Sequence, residues 1–329
     1  MISFRVRPPY CISLFTTIRC NAACENCCSG CRPNRGATMS LEQMKRYVDL
    51  CIAAYPDTIT RLALTGGECF LLGDDLKEII QYGTRKGLSV DVISNGYWGK
   101  SYRNAFNILT ELKKAGLKEI TFSTGEDHQK WVPLKSCRNA AVAAARLGIK
   151  CFLRVEVHSG KVKCEKQMQE DVPFWKLIQS SKIGLTWWTW RKYNNEVNHG
   201  LYHPYRHRPY ESKSCGLLFR DINITPYGDV LACCGISSMR IPQMRLGNIE
   251  KEPVRTIYER AFQDALKRWI DRKGPQSVLQ YVYDNSSIRF HQTGPGCDSC
   301  NEIFGNPKII PFLQDRYDDW MDRLKYEFI

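Results

Sequence analysis

The sequence predicts an α/β protein: an open, partial (β/α)6 barrel over residues 1–200 and a smaller α+β domain over 201–329. Three observations carry this. Strand-like and helix-like patterns alternate six times, or nearly so, between residues 10 and 190, as expected of a parallel sheet covered by helices. Six units are too few for a closed eight-stranded barrel. The alternation stops at 191–213, a linker by composition rich in Arg, His, Tyr, Asn and Pro, and a hairpin pattern follows it.

Residues 10–18 open the chain as an apolar strand. Ser40 and Gln43 make a capping box, after which Leu41, Met44, Tyr47, Val48, Cys51 and Ile52 recur at helical spacing. Further strands are expected over 61–64, 88–93, 119–123, 150–157 and 183–190. Helices are expected over 76–82, 102–115, 137–147 (alanine-rich) and 173–179. In the second domain, 218–225 and 229–232 read as a hairpin about Pro226-Tyr227-Gly228. Helical patterns then cover 256–270, 276–283 and 311–326.

The chain has 329 residues, 43% of them hydrophobic, enough for a proper core. Its net charge of +13 implies an acidic partner: nucleic acid, an acidic peptide or an anionic cofactor. The basic residues are scattered with no run of five, which does not favour nucleic acid. Sixteen cysteines would suit a disulfide scaffold in a small secreted chain. Here the start, Met1-Ile2-Ser3-Phe4-Arg5, lacks a signal-peptide apolar region, and no apolar run approaches transmembrane length. The expectation is a cytoplasmic protein away from membranes, with reduced thiols used for clusters.

The first cysteine set is Cys20-x3-Cys24-x2-Cys27, directly after the first strand. Three soft thiolates in one loop can hold an iron–sulfur cube and leave its fourth iron open for chemistry. A zinc knuckle, or three unrelated thiols, is the competing reading of this spacing. Barrel chemistry sits at the C-terminal ends of strands, and polar motifs recur there. Thr65-Gly66-Gly67-Glu68 ends the second strand; its glycines allow close backbone approach and offer N–H donors, and Glu68 can accept from an ammonium. Ser94-Asn95-Gly96 ends the third strand, Ser123 the fourth, and Arg154 lies in the fifth.

A second set, Cys215, Cys233, Cys297 and Cys300, follows the linker, with Gly228 five residues before Cys233. Four thiolates complete a cluster with no open iron, or equally a structural zinc site. Cys234 adjoins a ligand but points elsewhere, since neighbouring residues at a strand end diverge; Asp221 lies across the same hairpin. Cys28 and Cys31 read as loop packing, and Cys11, Cys51, Cys137, Cys151 and Cys164 as core or incidental thiols. Trp187, Trp188, Trp190, Arg191, Tyr193, His203, Arg206 and Arg208 form an aromatic and basic stretch. Such a stretch is core plus a solvated face, or a surface for an extended acidic peptide or single-stranded nucleic acid.

These motifs together resemble the radical S-adenosylmethionine (SAM) superfamily with an auxiliary-cluster domain of the SPASM type, in its shorter one-cluster Twitch form. Within the superfamily the chain is most similar to peptide epimerases acting on ribosomally made peptides. The similarity is carried by Arg19-Cys20-Asn21-Ala22, Cys27-Cys28, Cys31, Thr65-Gly66-Gly67-Glu68 with Phe70, and Ile93-Ser94-Asn95-Gly96 with Trp98-Gly99. His128 with Val132, the Gly228 to Cys233-Cys234 run, and Cys297-x2-Cys300 with Phe304 and Asn306 add to it. Departures are Gly125 in place of an acidic residue, Cys69 in place of a common proline, Asn26 in place of an aromatic, and the linker with its tryptophans.

The resemblance implies two [4Fe–4S] clusters, on Cys20, Cys24 and Cys27 and on Cys215, Cys233, Cys297 and Cys300, plus SAM as cofactor. It implies SAM contacts from Gly66, Gly67, Glu68 and Asn95, with Ser123 and Arg154 meeting the ribose and the methionine carboxylate. The implied reaction is Cα hydrogen abstraction from a peptide by a 5′-deoxyadenosyl radical. A thiol, Cys234, then returns hydrogen to the opposite face, assisted by Asp221, giving a D-residue. A flavodoxin or ferredoxin is the implied reductant. Peptide crosslinking through carbon–carbon or thioether bonds, small-alcohol oxidation, and an iron–sulfur nucleic-acid module are the alternatives.

Overall fold

A computed structural model describes residues 5–25, 27–157, 162–189, 214–235, 238–290 and 296–328. The expected linker at 191–213, with Trp190, Arg191, Tyr193, His203, Arg206 and Arg208, lies outside these residues, as do Asn26 and the boundary at 200/201.

Six strands form the barrel sheet: β1 (Cys11–Thr17), β2 (Arg61–Gly66), β3 (Ser89–Ser94), β4 (Leu117–Gly125), β5 (Lys150–Val157) and β6 (Ile183–Thr189). Each pairs in parallel with the next. The helices between them are α1 (Leu41–Ala54), α2 (Asp74–Arg85), α3 (Tyr102–Ala115), α4 (Leu134–Arg146), α5 (Val162–Gln169) and α6 (Val172–Gln179). Caps fix their starts: Ser40, Ser101 and Asp171 accept from the backbone N–H groups of Gln43, Asn104 and Phe174. The Ser40–Gln43 box closes only halfway. Gln43 turns its side chain to Tyr47 Oη (2.7 Å) and Pro226 O (3.3 Å) and so ties α1 to the distant hairpin.

The strands divide their side chains by period two. Ile12, Leu14, Leu62, Leu64, Val90, Val92, Ile120, Phe122, Cys151 and Leu153 pack against the helices in one continuous core. The alternate residues make a polar inner face. Across it Arg61 pairs with Asp91 (2.9 Å) and Glu119 (3.7 Å), and Lys150 with Glu119 (2.8 Å).

The second domain does not fold apart from the barrel. Its hairpin, β7 (Asp221–Ile224) and β8 (Asp229–Leu231), extends the same sheet, because β7 pairs in parallel with β1. With β9 (Arg245–Asn248), absent from the sequence reading, the order is β6-β5-β4-β3-β2-β1-β7-β8-β9. Two expected helices are each two. Residues 256–270 break into α7 (Val254–Phe262) and α8 (Ala265–Lys273), where Asp264 caps α8 on Lys267 N. Residues 311–326 divide into α11 (Ile309–Asp315) and α12 (Tyr317–Phe328), while α9 (Pro275–Asn285) and α10 (Cys297–Gly305) precede them. No helix of the described residues is long and apolar enough to cross a membrane.

A buried charge pair ties the domains. Asp271 on α8 accepts from Arg268 Nη1 (2.7 Å), both side chains being 2% exposed, and from Arg7 Nη2 (3.0 Å) at the start of the chain. Arg7 also reaches Leu218 O (2.9 Å). Breaking a buried pair from one side strands the other charge. Asp271→Ala should therefore lower stability by about 3–5 kcal/mol, read from denaturant unfolding; wild-type stability would show that the pair is replaceable.

Candidate active site and cluster-binding residues

The cysteine loop leaves the C-terminal end of β1, and the end of β2 lies against its base. Gly67 N donates to Thr17 O (2.7 Å) and Glu68 N to Arg19 O (3.0 Å). A Cβ on Gly67 would stand 1.9 Å from Arg19 O, and one on Gly66, whose φ is +129°, 2.3 Å from Thr17 O. Of the two glycine N–H groups read as ligand donors, that of Gly67 is thus engaged with Thr17 O and ties the strand end to the loop, and both glycines are needed for this close backbone approach.

Glu68 is fully buried. Its Oε1 accepts from Phe70 N (3.1 Å) and Ser94 Oγ (2.9 Å), and its Oε2 from Asn95 N (2.7 Å). A carboxylate has about four acceptor positions, so one further donor can be taken. Burial pushes its pKa up to about 7 against these hydrogen bonds; a cation at the vacant lone pair would restore the charge. Cys69, at the position where the resembled family often has proline, opens a short 3₁₀ turn (Cys69–Leu72) and donates to Ile93 O (3.1 Å).

Asn95 connects β3 to the cysteine loop. Its Nδ2 donates to Asn21 Oδ1 (2.8 Å) and lies 3.7 Å from Cys20 Sγ. Cys20 Sγ also accepts from Ala22 N (3.4 Å), and Cys27 Sγ from Cys31 N (3.2 Å). Hydrogen bonds to sulfur are what cluster thiolates take. Cys20, Cys24 and Cys31 share a small apolar nest with Ile18 and Ala22. Cys31 is thus packed, as expected, and in addition hydrogen-bonds to Cys27, drawing that thiol down to about 6.

Ser123 and Arg154 are register partners on β4 and β5, so the sheet brings that expected pair side by side on the inner face. One step toward the rim, Gly125 and Glu156 are also partners. Glu156 was not singled out in the sequence; a single acidic residue inside a strand pattern gives no signal. It is 1% exposed and accepts from Asp127 N (2.5 Å), His128 N (2.9 Å) and His128 Nδ1 (3.0 Å). A Cβ at Gly125 would fall 1.8 Å from Glu156 Oε2, which is why glycine stands there.

In the second set, a Cβ on Gly235 would lie 3.2 Å from both Cys233 Sγ and Cys297 Sγ. The glycine forms a cradle that a side chain would fill. Cys300 is near enough to Cys215 and Cys297 for their charges to raise its pKa further, after burial. Cys297 and Cys300 occupy the first turn of α10. The soft thiolate chemistry of both sets suits iron–sulfur clusters, and Gly235 leaves open the space beside Cys233 and Cys297.

Cys233 is buried and Cys234 exposed, so the adjacent thiols diverge as expected. Asp221 is the β7 partner of Cys11, and Cys234 lies close enough for the two to act on each other electrostatically. Asp221 Oδ1 has no hydrogen-bond partner, with Arg220 Nε 3.8 Å away. Although Cys234 is solvent-accessible as a residue, the protein packed around its sulfur and then Asp221 push its pKa up to about 12. Arg154 on β5 lies within electrostatic reach of Cys234. Cys11, read as core, shares this inner face with Asp221.

Strands β1 to β6 with their helices form an open, partial (β/α)6 barrel, and residues 215–301 match the SPASM family, an iron–sulfur cluster-binding domain. Over 128 residues the chain is 30% identical to a Bacillus subtilis (strain 168) protein named "Putative peptide biosynthesis protein YydG". That match covers 39% of this chain and 40% of the relative, so the chain spans well under two thirds of the relative's length. Among solved structures, native anSMEcpe with bound AdoMet is similar over 93% of this chain and 100% of its own, at 14% identity and a TM-score of 0.50. BtrN in complex with AdoMet and 2-DOIA is similar over 83% and 91%, at 13% identity and a TM-score of 0.48.

Gly67→Ala should push the base of the cysteine loop away from β2. The expected result is anaerobically reconstituted protein with about half the wild-type iron, the remainder on the second set. Unchanged iron would show that the loop tolerates the shift.

Proposed function

We propose that this protein is a radical SAM peptide epimerase that converts an L-residue of a ribosomally made peptide to its D-form. One cluster sits on Cys20, Cys24 and Cys27, a second on Cys215, Cys233, Cys297 and Cys300. Reductive cleavage of SAM, supplied by the first cluster when loaded, provides the hydrogen-abstracting radical. A flavodoxin or ferredoxin is the expected reductant.

What supports this reading is that Asp221 and Glu68 lie at opposite ends of β1. Glu68 and Asn95 lie at the C-terminal strand ends, beside the cysteine loop. Asp221, with Cys234 within electrostatic reach, aligns with Cys11 at the start of β1. Six residues of strand separate that level from Thr17, roughly 20 Å at the rise of an extended chain. A peptide Cα between these levels meets an abstracting group from one side and a thiol from the other. Inversion needs that arrangement; crosslinking and oxidation do not need the thiol.

Each residue has a task that follows from its chemistry. Glu68 accepts the SAM ammonium at its remaining lone pair. Ser123 and Arg154 take the ribose and the methionine carboxylate, for which the guanidinium fork is suited. Asp221 orients the Cys234 S–H, and the high pKa keeps the hydrogen on sulfur where it can be transferred as an atom. The relative's name, which mentions peptide biosynthesis, supports a peptide substrate.

Glu68→Ala should keep the first cluster and weaken SAM binding by roughly 2–4 kcal/mol, the loss of a charged acceptor from a buried ammonium. Unchanged affinity would remove Glu68 from the site.

Cys234→Ala, with both clusters assembled, should still cleave SAM to 5′-deoxyadenosine and abstract hydrogen but yield no D-residue on chiral analysis of the hydrolysed peptide. Normal D-residue yield would refute the donor role.

A further inference from the structure

The auxiliary domain touches the loop that carries the first cysteine set. Arg240 donates from Nη2 to Cys27 O (2.8 Å) and from Nε to Cys28 O (3.2 Å). Met239 packs on the nest of Ile18, Cys20, Ala22, Cys24 and Cys31. The same stretch is anchored at the second set. Ser238 donates from N (3.1 Å) and Oγ (2.9 Å) to the carbonyl of Gly235, the residue cradled between the Cys233 and Cys297 sulfurs. Within the loop itself, Arg32 Nη1 holds Cys24 O (2.9 Å) and Cys31 O (3.0 Å). Each of two ligating residues therefore has a guanidinium on its carbonyl, and one of the two comes from the other domain.

We propose that Arg240 is a positioning residue through which the auxiliary domain sets the reduction potential of the cluster on Cys20, Cys24 and Cys27. The proposal rests on the two-cluster reading above. Its cause is electrostatic. Reduction adds one electron to a centre already surrounded by thiolates, and a fixed positive charge beside a ligating residue favours the reduced state. Cluster potentials follow net charge, hydrogen bonding and exposure. Arginine is always charged, and its fork can hold two consecutive carbonyls at once. Placing Cys233, Cys234 and Arg240 on one short stretch also means that a correctly seated second set aligns the thiol and the clamp together.

The test is an EPR-monitored redox titration of reconstituted protein without peptide, comparing wild type, Arg240→Gln and Arg240→Lys, with iron measured in each. Gln removes the charge and keeps a donor; Lys keeps the charge. At a fixed poise the reduced-to-oxidised ratio of the first cluster should fall about tenfold in Arg240→Gln, equal to about 59 mV for a one-electron couple. It should stay within about twofold of wild type in Arg240→Lys. An unmoved ratio in the Gln variant overturns the proposal, and so does an equal fall in both variants. If Arg240→Gln fails to hold the first cluster, the Lys variant decides: a wild-type ratio supports the charge, a fallen ratio overturns it. Wild-type protein with only one cluster would sink the two-cluster reading and the proposal with it, an outcome distinct from two clusters with unmoved potential.

Discussion

Strand β1 is hydrogen-bonded on both sides, to β2 of the barrel and to β7 of the auxiliary domain, and the rest of the architecture depends on that double pairing. Its register sets Cys11 beside both Arg61 and Asp221. Because a parallel register fixes which side chains share a face, Asp221 is committed to the polar interior, while Ile222 and Ile224 join the core. The cysteine loop leaves the far end of the same strand. One element thereby spaces the loop from Asp221.

The site is assembled around buried carboxylates, each satisfied by backbone N–H groups of a neighbouring strand end. Glu68 draws Ser94 and Asn95 to β2, and Glu156 draws Asp127 and His128 to β5. Unsatisfied, either would carry a large desolvation penalty. Satisfied, each fixes a loop at the barrel mouth, and Asn95 relays that order to Asn21 and Cys20. Glycines at 66, 67 and 125 stand where a Cβ would collide with a carbonyl or a carboxylate.

The alternation of β1 to β6 with their helices was legible because each element buries one face, and 102–115 and 150–157 match their observed bounds. Ser123 and Arg154 were legible as residues of adjacent strands, and the sheet register sets them side by side. The pairing of β7 with β1 was not legible, because a non-local parallel register leaves no local mark. Asp264 capping α8 was hidden inside a helical pattern longer than one helix, and β9 is a four-residue strand with little periodicity to read. Glu156 and Arg240 look like ordinary charged residues until the fold sets one against Gly125 and the other against Cys27.

The measurement that tests the account most directly is the mass and stereochemistry of a candidate peptide after turnover by the reduced, reconstituted protein in heavy water. Return of a solvent-exchanged thiol hydrogen predicts a D-residue carrying a single deuterium at Cα, with no other change in mass. A peptide that loses hydrogen, or one that gains deuterium while every residue stays in the L-form, would contradict it.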